Sequence, residues 1–519
     1  MSTNPKDPTT CYYDISLPSI ACNQWKSPIK NMSLDMDDSK SASVIAAGVS
    51  VLDVWWDPSE HEDAQNPQNW PDWSKWLNIV TISSISFIMP FISSMVAPAV
   101  PLIMSDLKTE SDTFATFIVS IFVLGFASGP LILAPLSELY GRVRIYNVTN
   151  ILLTTFTAGC GFAHTTGQLL AMRFLSGFFG VATVAIGSGS IADLMPKHKR
   201  GKAASVWSAA TVLGPTIGPI IGGKVTEAAG WRWLFWSISM VAGLMTIASF
   251  VILRETYPAV LLARKAAKLR EQTNNPNCRS RLASGVSPAH LFVKSIVRPT
   301  RLLLFCPMVT ILCTYVAIVY GTLYLLWSTY SFVFGEVYGF SPLATGLVFL
   351  PGGLATLLGP PYVAYFSDNT IKRRTKAGYE VTPEDRLPPV IALPGTLLFP
   401  TGLLIYGWGV EYGVHWAVPM LGTAVSGFAS IPIFVGVQTY LIDAFEEYAA
   451  SAVAANAVLR GLVGALLPLS GLTLYRSLGW GWGNTLLALL AVLFGPVPVL
   501  FGGKYGGMIR EWSTRDMQL

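Results

Sequence analysis

The sequence predicts an all-α polytopic membrane protein: twelve transmembrane helices in two parallel six-helix repeats. Three observations carry that reading. Of 519 residues, 52% are apolar and only 13% are charged, about half the roughly 25% of a soluble protein. Apolar windows of about 20 residues recur along the chain, the length that a helix needs to cross a bilayer. Two internal segments repeat at matching places in the first and second sets of windows. A soluble multidomain enzyme would lack charge for its surfaces, and intrinsic disorder is incompatible with so apolar a chain.

Residues 1–76 are polar and acidic without a sustained period, which predicts a cytosolic and largely disordered tail. No basic stretch leads into an apolar core at the start, so no cleavable signal is expected and the first span serves as the insertion signal. The tail closes on Trp70, Trp73 and Trp76 beside Lys75, residues suited to a membrane interface.

Six windows follow within 77–253, at about Leu77–Val100, Phe114–Leu136, Ile145–Ala163, Gln168–Leu194, Ala203–Gly223 and Trp231–Leu253. A basic central loop without pattern occupies 254–301. Six more windows fill 302–501, at about Leu302–Leu326, Pro342–Phe366, Leu387–Trp408, His415–Leu441, Ala449–Leu474 and Trp480–Phe501, and 502–519 form a second cytosolic tail. Of the 35 lysines and arginines, only Lys108, Lys224, Arg232 and Arg476 fall in the loops of one face, and Arg173 and Arg460 fall inside windows. The rest lie in the other loops and the tails, so the positive-inside rule puts both termini in the cytosol.

The repeat is specific. Gly129-Pro-Leu-Ile-Leu-Ala-Pro-Leu-Ser-Glu138 ends the second window and Gly359-Pro-Pro-Tyr-Val-Ala-Tyr-Phe-Ser-Asp368 ends the eighth. Both read Gly-Pro-x-x-x-Ala-x-x-Ser-acid and run into a basic loop. A weaker echo joins Ile191-Ala-Asp193 to Leu441-Ile-Asp443 at the ends of the fourth and tenth windows, each soon followed by Ala-Ala-Ser. Transporters built from such repeats bind substrate where the repeats meet, near mid-membrane.

On these residues the chain resembles a twelve-span member of the major facilitator superfamily, from about Asn66 to the C-terminus. It most resembles the fungal drug:proton antiporter branch, which includes multidrug and secondary-metabolite efflux pumps. The loop Ala134-Pro-Leu-Ser-Glu-Leu-Tyr-Gly-Arg-Val-Arg144 resembles the superfamily signature Gly-x-x-x-Asp-Arg-x-Gly-Arg-Arg, with Glu138, Gly141 and Arg142 matching best and Ala134, Leu139 and Val143 departing. The resemblance implies a cytosolic charge latch of Glu138 with Arg142, duplicated as Asp368 with Arg373 and Arg374, at a gate that also holds Asp193, Arg200 and Asp443. Gly141 permits a positive-φ turn there. The alternative is that these arginines are only positive-inside anchors.

The fifth window contains Gly214-Pro-Thr-Ile-Gly-Pro-Ile-Ile-Gly-Gly223. It resembles the antiporter signature Gly-Pro-x-x-x-Gly-Pro-x-x-Gly-Gly, shortened by one residue. The matching positions Gly214, Pro215, Gly218, Pro219, Gly222 and Gly223 imply a helix that packs closely and bends between states; a tight glycine-proline helix without that role is the alternative. Gly218-x4-Gly223-Lys224 imitates a phosphate loop, but Val225 stands where a hydroxyl should bind magnesium; Gly187-Ser-Gly-Ser-Ile-Ala192 imitates a dinucleotide fingerprint without a βαβ context.

An intramembrane charge is costly and marks a candidate site. Arg173, in Arg173-Phe-Leu-Ser-Gly177-Phe-Phe-Gly180, lies about 8 Å into its span and Arg460 about 15 Å into the eleventh, at ~1.5 Å per residue. Arg173 resembles a family arginine that contacts substrate or proton; otherwise it snorkels or bonds carbonyls. Asn456 precedes Arg460 by one turn and shares its face; a structural hub between helices is the alternative. Tyr320, Tyr324 and Trp327 share a face of the seventh window, which lines the cavity in this superfamily, and Gln438 is a polar candidate near the inner end of the tenth. Core packing is the alternative for the aromatic stripe.

The five histidines are scattered, and no paired carboxylates, nucleophile elbow or metal spacing appears. The chain is therefore expected to be no enzyme and to need no cofactor. The six cysteines have no metal-like spacing and read as reduced thiols. Expected partners are a small-molecule substrate, protons and the lipid bilayer, with no nucleic acid, and a monomer suffices. The resulting expectation is efflux by alternating access in exchange for protons, at the plasma membrane or alternatively the vacuole. An uptake permease for a nutrient or polyamine is the rival; a sensor built on the central loop ranks behind it. No Asp, Glu or His lies deep in a window, so two deep arginines without acids point to an anionic substrate or coupling through its charge.

Overall fold

The computed structural model describes residues 52–56, 63–196, 199–282, 288–379, 382–445, 448–503 and 506–514. Most of the 1–76 tail lies outside them.

Among the described residues, ten helices are long and apolar enough to cross a membrane. The last, Ala449–Phe501, has 53 residues, about 80 Å at ~1.5 Å per residue and far more than one crossing needs. It breaks at Gly479 (φ 79°, ψ 170°) into an eleventh and a twelfth span. The remaining span is Arg142–Gly161, whose 20 residues include Asn147, Asn150 and four threonines and so are less apolar than the other spans. Twelve spans result, as the sequence pattern predicts.

The first six are Asp72–Asp106, Asp112–Tyr140, Arg142–Gly161, Thr166–Leu194, Arg200–Ala229 and Trp231–Ile252. The next four are Pro307–Val337, Pro342–Lys376, Pro389–Glu411 and Ala417–Ala444. Within the first half, the first span packs on the fifth, the second on the fourth, and the third on the fourth and sixth. The second half repeats each pairing six spans later: seventh on eleventh, eighth on tenth, ninth on tenth and twelfth. The halves meet through two related pairs, the second span with the eleventh and the fifth with the eighth. This repetition of partners is what two parallel six-helix repeats mean in space.

Apolar side chains cover the outside. Met240, Leu244, Ile247 and Val251 are 65%, 61%, 63% and 79% exposed and share one face of the sixth span. Such a stripe is a lipid face rather than a water-facing one.

An even number of spans puts both termini on one side, termed the terminal side; the opposite is the far side. The central segment, expected as a loop without pattern, folds into two helices, Pro258–Thr273 and Pro288–Phe305. Both are amphipathic, a helical period that the density of basic residues hides. Between them Cys278–Ser280 pairs in parallel with Leu52–Val54, and Val54, Ala266 and Cys278 form a small core of their own. At the other end, helix Gly506–Thr514 returns to the bundle, where Ser513 Oγ accepts the N–H of Met308 at 3.0 Å.

Candidate functional site

The first span is not one straight helix. It breaks after Ser94, ahead of Pro98 and Pro101, and resumes at Val100. A helix end leaves carbonyls without partners. Arg173 takes them: its Nη1 donates to the Ile92 carbonyl at 2.9 Å and its Nη2 to the Ser93 carbonyl at 3.1 Å. Its Nε donates to the Ile118 carbonyl at 3.2 Å, and its guanidinium lies over the Phe122 ring. Arg173 is fully buried and does not reach the cavity wall. The expectation of a substrate contact gives way to a clamp on the first, second and fourth spans, because all three nitrogens are already occupied.

The cavity lies between the halves and encloses about 260 Å³, near the lower end of ligand-pocket sizes (~300–1,000 Å³). The first, second, fourth and fifth spans supply one wall, with Met89, Ser93, Phe122, Phe126, Val184, Thr211 and Pro215. The seventh, eighth, tenth and eleventh supply the other, with Tyr320, Tyr324, Trp327, Phe349, Gly353, Thr356, Ser430, Phe434 and Arg460. The aromatic stripe expected on the seventh span is there: ring centroids are 4.8 Å apart for Tyr320–Tyr324 and 5.0 Å for Tyr324–Trp327, and Phe434 meets Tyr320 edge-on at 5.7 Å. Arg460 also reaches the cavity, its guanidinium carbon 4.9 Å from the Tyr320 ring centre. Asn456 is buried one turn away, outside the lining. Gln438 sits half-exposed four residues past Phe434 and does not enter the wall.

The glycine-proline helix of the fifth span uses three faces. Gly214, Gly218 and Gly222, spaced by four, lie against the backbone of the first span; a Cβ at Gly214 would stand 2.8 Å from the Phe87 carbonyl oxygen. Pro215 faces the cavity. Pro219 and Gly223 face the eighth span, where a side chain on Gly346 or Gly223 would collide with the backbone of Pro219 or Pro342. This second contact joins the halves on the far side. Glu227 adds to it by accepting from the Ser341 hydroxyl and the Leu343 N–H, both at 3.3 Å. Arg476 pairs with Asp112 at 2.7 Å, and the Ser331 hydroxyl donates to the Ala97 carbonyl. The far side is closed.

On the terminal side the expected latches are rewired. Arg142 begins the third span rather than lying in a loop, and is buried. Its Nε pairs with Asp193 Oδ2 at 3.4 Å and its Nη1 donates to Ser137 Oγ at 2.7 Å; Glu138, its expected partner, points outward and is exposed. In the second half Asp368 and Arg373 are both exposed, and their expected pairing is not formed. Arg386 fills that role, pairing with Asp443 at 2.6 Å and reaching Ser367 Oγ at 3.5 Å, while Arg374 pairs with Asp385 at 3.0 Å. Side-chain reach explains both changes: the acid ending each repeat motif follows the serine by one residue and so points off the helix face that meets the fourth or tenth span. Arg200 stays outside these pairs and donates to the carbonyls of Met195 and Ala192, both at 2.8 Å, closing the end of the fourth span.

Glu255 was not singled out in the sequence. Its carboxylate accepts the N–H groups of Arg142 (3.0 Å) and Val143 (3.3 Å) at the start of the third span, and those of Thr256 and Tyr257, both at 3.1 Å. An anion there complements a helix N-terminus. Gly141 makes the approach possible: its φ is 101° and a Cβ would strike the Glu255 carboxylate. The Arg142 guanidinium lies 4.6 Å from the Tyr257 ring centre. Burial, and then the Glu138 charge, hold the Tyr257 phenol above its ordinary range, so it stays neutral beneath the arginine. The signal available in the sequence was an acid two residues after the sixth window.

A cavity shared by two repeated half-bundles, shut on one side, is the anatomy of an alternating-access transporter. The Major Facilitator Superfamily profile matches residues 82–468, and the chain belongs to that family. It is 47% identical over 468 residues to "Efflux pump radE" of Floropilus chiversii, covering 89% of this chain and 86% of that one. It is 44% identical over 485 residues to "MFS-type transporter tndD" of Aspergillus flavipes, covering 91% and 89%. Among solved structures it resembles the xylose transporter XylE from E. coli in an inward open conformation, with TM-score 0.60, 14% identity and 81% and 95% coverage. It matches a bacterial Spinster homologue, inward-facing and unoccupied, with TM-score 0.60, 15% identity and 86% and 98% coverage. The chain is a membrane transporter of the fungal branch and not an enzyme.

Proposed function

We propose that the protein exports a small organic molecule, a secondary metabolite or toxin, by alternating access in exchange for protons. The observation that carries this is the cavity between the halves, closed on one side by the fifth and eighth spans and flanked on the other by two matching charge clusters. Half-bundles 77–253 and 302–501 rock about it. The clusters Arg142–Asp193 and Arg386–Asp443 hold the terminal ends, Gly141 and Arg200 shape their surroundings, and the fifth-span glycines form the far-side seal. Tyr320, Tyr324, Trp327 and Arg460 contact cargo, with Asn456 behind them. The name of the Floropilus chiversii relative, an efflux pump, supports the direction. The location proposed is the plasma membrane, where export leaves the cell; basic loops on the terminal side support cytosolic termini, and one chain supplies a whole cavity, which fits a monomer.

Cells expressing the protein should retain less of a transported aromatic toxin than control cells, and collapsing the proton gradient should remove the difference. Greater retention would establish an uptake permease instead.

A further inference from the structure

We infer that the cavity takes its cargo as an organic anion: a flat, largely apolar molecule bearing one negative charge, such as an aryl carboxylate or an acidic phenol, seated against Arg460. The inference rests on the transport reading of the same cavity and adds the chemical class of the cargo.

Two arginines lie deep in the spans, and the structure treats them differently. Arg173 donates to three backbone carbonyls, one from each nitrogen, and does not line the cavity. Arg460 lines the cavity and is the one charged residue among the described lining residues. It forms no ion pair with a described acid, and its Nε, although buried, has no hydrogen-bond partner among the described residues. Asn456 Oδ1, one turn away, is likewise without a partner. The nearest favourable contact of the guanidinium is the Tyr320 ring face, which offsets only part of the cost of removing a cation from water.

An unpaired guanidinium in an apolar chamber selects by charge. A cationic drug is repelled and a neutral one leaves the guanidinium unpaired. A carboxylate or phenolate accepts from the terminal guanidinium nitrogens, a fork that lysine lacks. The rest of the chamber fixes the shape of the body. Tyr320, Tyr324 and Trp327 form a ladder with rings 4.8 and 5.0 Å apart, offering faces on which a flat ring system stacks. Gly464 lies against Tyr320, where a side chain would crowd the ring, so Tyr320 is held between the eleventh span and the guanidinium. No Asp, Glu, His or Lys is among the described lining residues, so the charge in the chamber is set by the cargo and Arg460 alone.

The test uses the full chain in nanodiscs and two probes of one ring system, 2-naphthoate and the neutral 2-naphthamide. Binding is read by quenching of tryptophan fluorescence, with Trp327 in the wall. At pH 7 the acid should bind at least about tenfold tighter than the amide. In Arg460→Gln that preference should vanish while amide binding persists, and Arg460→Lys should keep part of it. Equal binding of the two probes by the unaltered chain, no binding of either, or a preference that survives in Arg460→Gln would overturn the inference. Vesicle efflux separates it from the transport reading. Selective binding without movement leaves this inference standing and overturns export; export of both probes at equal rates does the reverse.

Discussion

Arg142 and Arg386 occupy equivalent places in the two halves but come from different points of the repeat. Each places Nε on the aspartate ending the fourth or tenth span, Asp193 at 3.4 Å and Asp443 at 2.6 Å. Each also reaches the serine of the repeated motif, Ser137 or Ser367. Arg142 follows its serine by 5 residues and Arg386 by 19. The structure preserves the charge geometry while the chain changes the source of the cation.

Arg386→Gln should therefore slow transport by about tenfold or more, since a charge-assisted hydrogen bond contributes about 1.5–3 kcal/mol. Arg373→Gln, at the position favoured by sequence spacing, should leave the rate within about twofold. Initial efflux rates normalised to protein abundance decide between them; a larger loss in Arg373→Gln would restore the spaced motif as the gate.

Gly141→Ala should destabilise the protein by about 1–3 kcal/mol, the range for a non-glycine residue forced into such a backbone region. It would also push Glu255 off the start of the third span. A lowered unfolding midpoint in detergent is expected, and Glu255→Gln should weaken the same contact with a smaller shift. An unchanged midpoint in Gly141→Ala would show that the turn relaxes freely.

Gly346→Val should hold the far side apart, because its side chain would meet the Pro219 backbone. A cysteine pair replacing Glu227 and Leu343 should cross-link readily in the parent and poorly in this variant. Equal cross-linking would mean that closure does not depend on the glycine contact.

Arg173→Gln should cost abundance and heat resistance, by about 1–3 kcal/mol, because it takes the donor from the buried carbonyls of Ile92 and Ser93 at the break of the first span. Probe selectivity should stay with Arg460. A variant that keeps its unfolding midpoint and changes which molecules move would return Arg173 to the cargo site.

The fold was legible because lipid imposes a simple code. Apolar windows and one-sided lysines and arginines gave the spans, and the paired Gly-Pro-x-x-x-Ala-x-x-Ser-acid segments gave the repeat. The aromatic stripe from Tyr320 to Trp327 was legible too, since three residues on one helix face stay together however the helix packs. Ion-pair partners were not. Whether Arg142 meets Glu138 or Asp193 depends on which faces of three helices converge, and nearness in sequence is a poor guide to that. The two central helices were missed because their basic residues mask a helical period, and Glu255 because its four donors are backbone groups that leave no trace in composition.

The parallel pairing of Leu52–Val54 with Cys278–Ser280 bears on how the chain is made. The first strand leaves the ribosome 226 residues before its partner, from Leu52 to Cys278. At ~5–20 residues per second that is a wait of about 11–45 s, during which the first six spans must enter the bilayer. The strand cannot dock until the first half-bundle has been synthesised, so its pairing comes no earlier than the end of that half.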